Sequence, residues 1–295
     1  MPTGREQIAE LLGQIDQLPF GQQVAPAERA QALADELGDD ELRAAARISL
    51  LRAYNYSADR TRMFAPFSWL LQRYDEQPAW FGDYERYIVL WTYKWMIHGL
   101  LDHPDVPLAQ LHASLDGMRR RYAEAGVGLQ PVLGAEYHLT AHLHGADAAR
   151  DAFAQWSRAE RNDFSDCLGC EPTDMAHHHA ELGDHVRAVE TVESVLEGST
   201  QCAEQPQAAI AAVLASLLLT GQTARAATVH LTGSRISRSN PDETDYVAAH
   251  LHVLARSGEL GRGLDLLSER LADVAAPPTP WAGMQLAAVG ARLLS

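Results

Sequence analysis

"LGDHVRAVETV", residues 182–192, decides how this chain is read. A Gly-Asp turn leads into apolar residues at helical spacing. Gly183 can stop a helix because the left-handed backbone conformation that ends it is cheap without a Cβ. Ala188, five residues on, is small enough for the next helix to approach the last one closely. The same arrangement recurs in "HGADAARDAF" from His144, "TGQTARAATV" from Thr220 and "SGELGRGLDLL" from Ser257. The turn glycines Gly145, Gly183, Gly221 and Gly258 stand 38, 38 and 37 residues apart. Ala226 and Gly263 take the place of Ala188 in two of them, while the first turn has Ala149 and Ala152 instead. A fixed period of this size marks a stack of helix pairs, each covering the apolar face the previous one leaves open.

Working outward, residues 170–182, 184–196, 206–220, 222–237, 242–257 and 259–273 all carry apolar residues at the helical period. Pro172, Pro206 and Pro241 fall at or near helix starts, where a missing N–H costs little. The first half is less regular. Residues 37–54 repeat the glycine turn and second helix, and 81–101 and 106–126 are further helices. No stretch alternates in the manner of a strand. The expected fold is all-α: irregular helical repeats over 1–129, regular ones of about 37–38 residues over 130–275, and a capping helix over 276–295, in one continuous solenoid. The plainer alternative is an irregular helical bundle.

Composition bounds the function. Hydrophobic residues make up 46% of the 295 and charged residues 21%, enough apolar material for a sizeable core. The net charge of −15 disfavours nucleic acid and anionic membrane surfaces as partners and suits a basic peptide or protein. No apolar run reaches the roughly 18 residues a membrane span needs, and the amphipathic start lacks the apolar core of a signal peptide. Three cysteines are too few for a disulfide scaffold. The expectation is a cytoplasmic protein with reduced thiols.

The pattern of turn glycine plus small residue resembles the tetratricopeptide-repeat (TPR-like) superfamily, well over 130–275 and loosely before it. The units run longer than that family's and lack its tryptophan signature. "SDCLGC", "CAEQP" and "HLTGSRISRSNP" further resemble poorly characterised bacterial repeat proteins with a D-C-x-x-C segment. The resemblance implies a right-handed α-solenoid that binds a peptide or protein segment in its concave groove. It implies no activity.

Cys167 and Cys170 precede one unit's first helix, and Cys202 precedes the next unit's. Equivalent positions in adjacent units lie side by side, so the three thiols are expected to converge. Thiolates at C-x2-C spacing suit a structural zinc, which takes four tetrahedral ligands. Asp166, Asp174, Glu204 or a histidine are candidates for the fourth. His177, His178 and His179 start about two turns up the helix and stand too far away. Two other readings stay open: small buried packing residues, or a reversible Cys167–Cys170 disulfide.

His138 and His142 share a helix face at i, i+4. His177 and His252 hold the same place relative to their turn glycines. These four are candidates to line a ligand groove, against the plainer reading of satisfied or solvated histidines. Tyr87, Trp91 and Trp95 form an aromatic stripe read as core, or else as a ligand platform with Lys94 and Arg86. Arg119, Arg120 and Arg121 read as a solvated face. No nucleophile elbow, phosphate loop or zincin motif occurs. The leading expectation is therefore a non-enzymatic scaffold or adaptor, with a metal-dependent or redox accessory enzyme and a peptide-sensing regulator as alternatives.

Overall fold

The computed structural model describes residues 4–57, 60–200, 202–239 and 244–294. Among them are seventeen α-helices and no strand beyond an isolated bridge between Cys202 and Gln205. The chain divides into two compact units, Met1–Leu101 with Val106–Val132, and Asp102–Asp105 with Leu133–Ser295.

The first unit holds α1 (Gly4–Ile15), α2 (Val24–Leu37), α3 (Asp40–Asn55), α4 (Phe64–Glu76), α5 (Asp83–Leu101) and α6 (Leu108–Glu124), each packed on the next. Local signals set the ends. Gly38 ends α2 at φ 73°, and the Asp39 carboxylate caps α3 by accepting from the Leu42 N–H at 3.1 Å. Leu51, Leu70, Leu90, Ile97, Met118 and Tyr122 are among its fully buried side chains.

Two expectations about this unit need correction. Arg121 is not on a solvated face: its guanidinium is buried, paired with Asp75 and bonded to the Tyr93 hydroxyl at 2.7 Å. The aromatic stripe of α5 is only half-buried; the core face is Ile88, Val89, Leu90, Tyr93 and Ile97. Lys94 is itself buried, with its Nζ 3.3 Å from the Trp91 ring centroid.

α7 (Gln130–Ala148) begins in the first unit and continues into the second, broken at Gly145, whose φ 82°, ψ 165° is non-helical. Next come α8 (Arg150–Arg158), α9 (Cys170–Glu181), α10 (His185–Thr191), α11 (Glu193–Leu196), α12 (Gln207–Leu219) and α13 (Thr223–Ser239). α14 (Thr244–Arg256), α15 (Leu260–Ser268), α16 (Leu271–Ala275) and α17 (Pro280–Leu294) close the chain. The sequence predicts single helices over 184–196 and 259–273; the structure breaks them at Val192 and after Ser268. Pro241 lies outside the described residues.

The glycine turns are built as the sequence implies. Gly183, Gly221 and Gly258 have φ of 80°, 77° and 78°. In each the following residue donates back across the turn: Asp184 to His179, Gln222 to Leu217 and Glu259 to Leu254. That bond satisfies a carbonyl the helix end would orphan. The helices flanking each turn pack together, α9 on α10, α12 on α13 and α14 on α15. First helices also pack in series, α9 on α12, α12 on α14 and α14 on α17. Ala188 and Ala226 are buried in one cluster with Val189, Val192, Val213 and Leu217. At Gly263 a Cβ would meet Leu293 Cδ2 at 2.5 Å. No described helix is long and apolar enough to cross a membrane.

Candidate metal centre

The three cysteines meet in the second unit. Cys167 lies in the loop between α8 and α9, Cys170 is the first residue of α9, and Cys202 lies in the loop before α12. Cys167 Sγ is 3.2 Å from Cys170 Sγ, and Cys170 Sγ is 3.7 Å from Cys202 Sγ. All three sulfurs lie within 4.8 Å of one another, and no disulfide joins them. Two sulfurs on one tetrahedral zinc, at about 2.3 Å each, stand about 3.8 Å apart. The observed spacings fit that arrangement with small adjustments. Each cysteine is partly exposed, so none is a sealed packing residue.

The loops are fixed by their own side chains. In the first, Asn162 Oδ1 accepts from the Phe164 N–H, and Ser165 Oγ accepts from the Asn162 N–H. Arg161 donates to the Asp166 carbonyl at 2.6 Å and pairs with the buried Glu171 carboxylate in the first turn of α9. In the second, Gln205 donates to Thr173 Oγ1 at 3.1 Å and accepts from the Ala209 N–H, which ties the Cys202 loop to α9 and α12. Glu204 accepts from the Tyr246 hydroxyl of α14 at 2.6 Å. Gly169 lets the loops close: a Cβ there would meet Gln205 Cγ at 2.9 Å and Thr200 Cγ2 at 3.0 Å. Nothing in the residue spacing names Gln205 and Thr173 as supports. The glycine inside "CLGC" is the one hint that another chain segment comes close.

The electrostatics single out one sulfur. The Cys170 and Cys202 thiols stand against the Cys167 sulfur, and the backbone N–H groups of Cys170 and Gly169 donate to it at 3.2 and 3.4 Å. These neighbours hold the Cys167 pKa far below the ordinary thiol value. Cys170 and Cys202 are both pushed up first by the neighbouring Cys167 sulfur. Three sulfurs this close form a ready cradle for a soft cation that displaces their protons.

Other predicted residues separate into places of their own. His138 Nε2 lies 3.4 Å from Asp174 Oδ2. Burial pushes His138 down, but the Asp174 and Asp166 carboxylates together bring its pKa above the usual value. His177 presents an exposed ring near both groups. His142 packs on the Trp281 ring, with centroids 4.8 Å apart. His252 is half-buried, with Arg256 and Arg292 near enough to lower its pKa further. His138 and His177 thus both lie near Asp174, while His142 packs on Trp281 and His252 lies near Arg256 and Arg292. His178 is buried and stacks on Phe153 at 3.8 Å. No histidine or carboxylate joins the sulfur cluster among the described residues.

Sequence reasoning missed the His230–His250 pair, whose Nδ1 atoms are 2.9 Å apart. His250 is buried against Gly233, where a Cβ would meet its Cε1 at 2.9 Å.

No protein-family model matches the chain, and no curated protein matches it. The reading of function rests on its own residues.

Proposed function

We propose that this is a non-enzymatic helical-repeat scaffold, TPR-like and built as a right-handed α-solenoid, whose helix pairs are stapled by a structural metal ion, zinc by ligand chemistry, on Cys167, Cys170 and Cys202. The observation that carries it is the meeting, within 4.8 Å, of thiols from two successive helix-pair junctions. The equal spacing and matching φ of the turn glycines support the repeat. A peptide or protein segment is the natural occupant of such a scaffold, which offers extended surface rather than dedicated chemistry. The face of α9 bearing Asp174 and His177, with His138 of α7 beside it, is where we place it. We place the protein in the cytoplasm, where its thiols stay reduced.

The test is elemental analysis of protein purified without added metal, followed by thermal melts with and without a chelator. One metal per chain and a lower melting temperature on chelation are expected, since part of the binding free energy is folding free energy. Cys167→Ser, Cys170→Ser and Cys202→Ser should each remove the metal and lower the melting temperature alike. A double change should cost little more than a single one, because coupled ligands are not additive. Metal that survives the loss of Cys202 would sink the shared site. His178→Ala and His179→Ala should leave metal content unchanged.

A further inference from the structure

A cavity of about 480 Å³ opens in the first unit between the start of α3, α4 and the short turn Pro78–Trp80 that leads into α5. That volume lies in the range of small-ligand sites, roughly 300–1,000 Å³. Its aromatic surface comes from Trp69, Trp80 and Phe81. Phe81 is buried against Tyr74, whereas Trp80 is 50% exposed at the mouth. Its carboxylates are Asp40, Glu41 and Glu85.

The cations around it are matched by carboxylates or carbonyls, save that the Arg73 Nε is a buried donor without a partner among the described residues. Arg43 pairs with Asp40 at 3.1 Å, and Arg5 pairs with Asp39 and Glu41. Arg73, the one cation in the lining, is held by Glu76 at 3.0 Å, and Arg47 by Asp35 at 3.0 Å. Arg86 donates to the Phe81 and Pro78 carbonyls. Glu85 has no ion-pair partner among the described residues. A half-exposed indole beside an unpaired carboxylate is a combination that attracts a cation twice, through the ring quadrupole and through charge. The unit uses the same chemistry internally, with the Arg47 guanidinium 4.2 Å from the Trp69 centroid. The chain's net charge of −15 favours the approach of cations from a distance.

We propose that this cavity binds a guanidinium or alkylammonium group, its flat or methylene face on Trp80 and its charge on Glu85. Nothing in the proposed scaffold role or the thiol site requires it, so it stands or falls alone.

The test uses the full chain and isothermal calorimetry. The probes are capped arginine (acetyl-arginine methylamide), its neutral isostere acetyl-citrulline methylamide, and a 10-residue peptide with one central arginine among glycines and serines. Saturable binding of capped arginine is expected, at least tenfold weaker for the citrulline compound. Trp80→Ala and Glu85→Gln should each weaken it at least tenfold, with circular dichroism and melting temperature unchanged; both side chains sit at the cavity mouth rather than in the core. Glu85→Asp should restore part of the affinity. Tighter binding of the peptide than of capped arginine would identify a peptide side chain as the source, and equal binding a free small cation. Equal binding of citrulline, unchanged affinity in both variants, or preference for an anion such as acetyl-glutamate methylamide would overturn the proposal.

Discussion

The two units hold themselves together by different chemistry. In the first, arginines enter the core and reach out to partly exposed carboxylates: Arg47 to Asp35 and Arg121 to Asp75. Its aromatic rings lie under cations, with Arg47 and Arg73 over Trp69, Arg62 over Tyr54 and Lys94 over Trp91. In the second, small residues let helices close in, as at Ala188, Ala226, Gly233 and Gly263. Its buried polar groups include two neutral imidazoles, His178 and His250, beside the ion-paired Glu171 and Arg270. A repeat of small residues and turns makes similar interfaces again and again. Long-range ion pairs make each interface individual. The period of the second unit follows its glycine turns and small residues, since long-range ion pairs occur in both units.

The contrast breaks most readily where the buried Arg121 meets the half-exposed Asp75. Asp75→Ala should destabilise the first unit by about 3 kcal/mol, because it leaves the Arg121 guanidinium buried with only Tyr93 Oη and the Gly117 carbonyl as partners. Denaturant unfolding checks it. A change below about 1 kcal/mol would place Arg121 in effective contact with water and erase the distinction.

The second unit should show the opposite electrostatic signature, a sensitivity to acid. Burial pushes the His250 pKa down to about 3, with His230 opposing its charge further, and that of His178 down to about 4, with His179 and Arg150 adding to the effect. Arg238 and Arg262 act on His230 in the same sense. The unfolded chain therefore binds these protons first. Stability is complete above the unfolded histidine value of about 6.5 and falls as pH drops through the window between that value and the folded ones. From pH 7 to pH 5, His250 alone should cost about 2 kcal/mol, from the slope of about 1.4 kcal/mol per pH unit that one proton imposes. His250→Gln should flatten that slope in urea melts collected across the window. An unchanged slope would mean that His250 takes up its proton without unfolding.

Ala188→Leu and Ala226→Leu sharpen the comparison from the packing side. Both alanines are buried where helices meet, so added methylenes should cost about 1–3 kcal/mol each. Neutral outcomes in melting experiments would show that the small residue has no spacing role.

How far the sequence carries follows from the same chemistry. The turns were legible because glycine's backbone freedom is local and the contact it permits lies five residues away. Convergence of Cys167, Cys170 and Cys202 was legible because they stand at or just before the starts of α9 and α12, two helices that pack together. Gln205 on Thr173, Asp75 on Arg121 and His230 on His250 were not, since each depends on two distant segments meeting in one orientation. Arg121 shows the error most clearly: inside a run of three arginines it reads as surface, and only the fold brings Asp75 and Tyr93 to it. The stripe on α5 misled for a related reason, since a helix hydrophobic on two sides does not say which side faces the core.

The smallest expected effect separates the two uses of glycine. Gly183, Gly221 and Gly258 have positive φ and nothing within 4 Å of the place a Cβ would take. An alanine there meets no neighbour, so the whole cost is the left-handed backbone, about 1 kcal/mol each. Gly145 differs, because φ 82° with ψ 165° falls in a region that only glycine enters readily. Gly145→Ala should therefore cost more than the other three, which fits a first turn that departs from the repeat in sequence. Gly13 in α1 and Gly261 in α15 are the control, one from each unit: both are helical, exposed and open around the missing Cβ. There alanine should stabilise by up to about 1 kcal/mol through helix propensity. Thermal melts of the six alanine variants should therefore split by sign, turn glycines down and helical glycines up. A turn glycine that gains stability would show that its helix does not end in the left-handed conformation, and the repeat boundary would have to move.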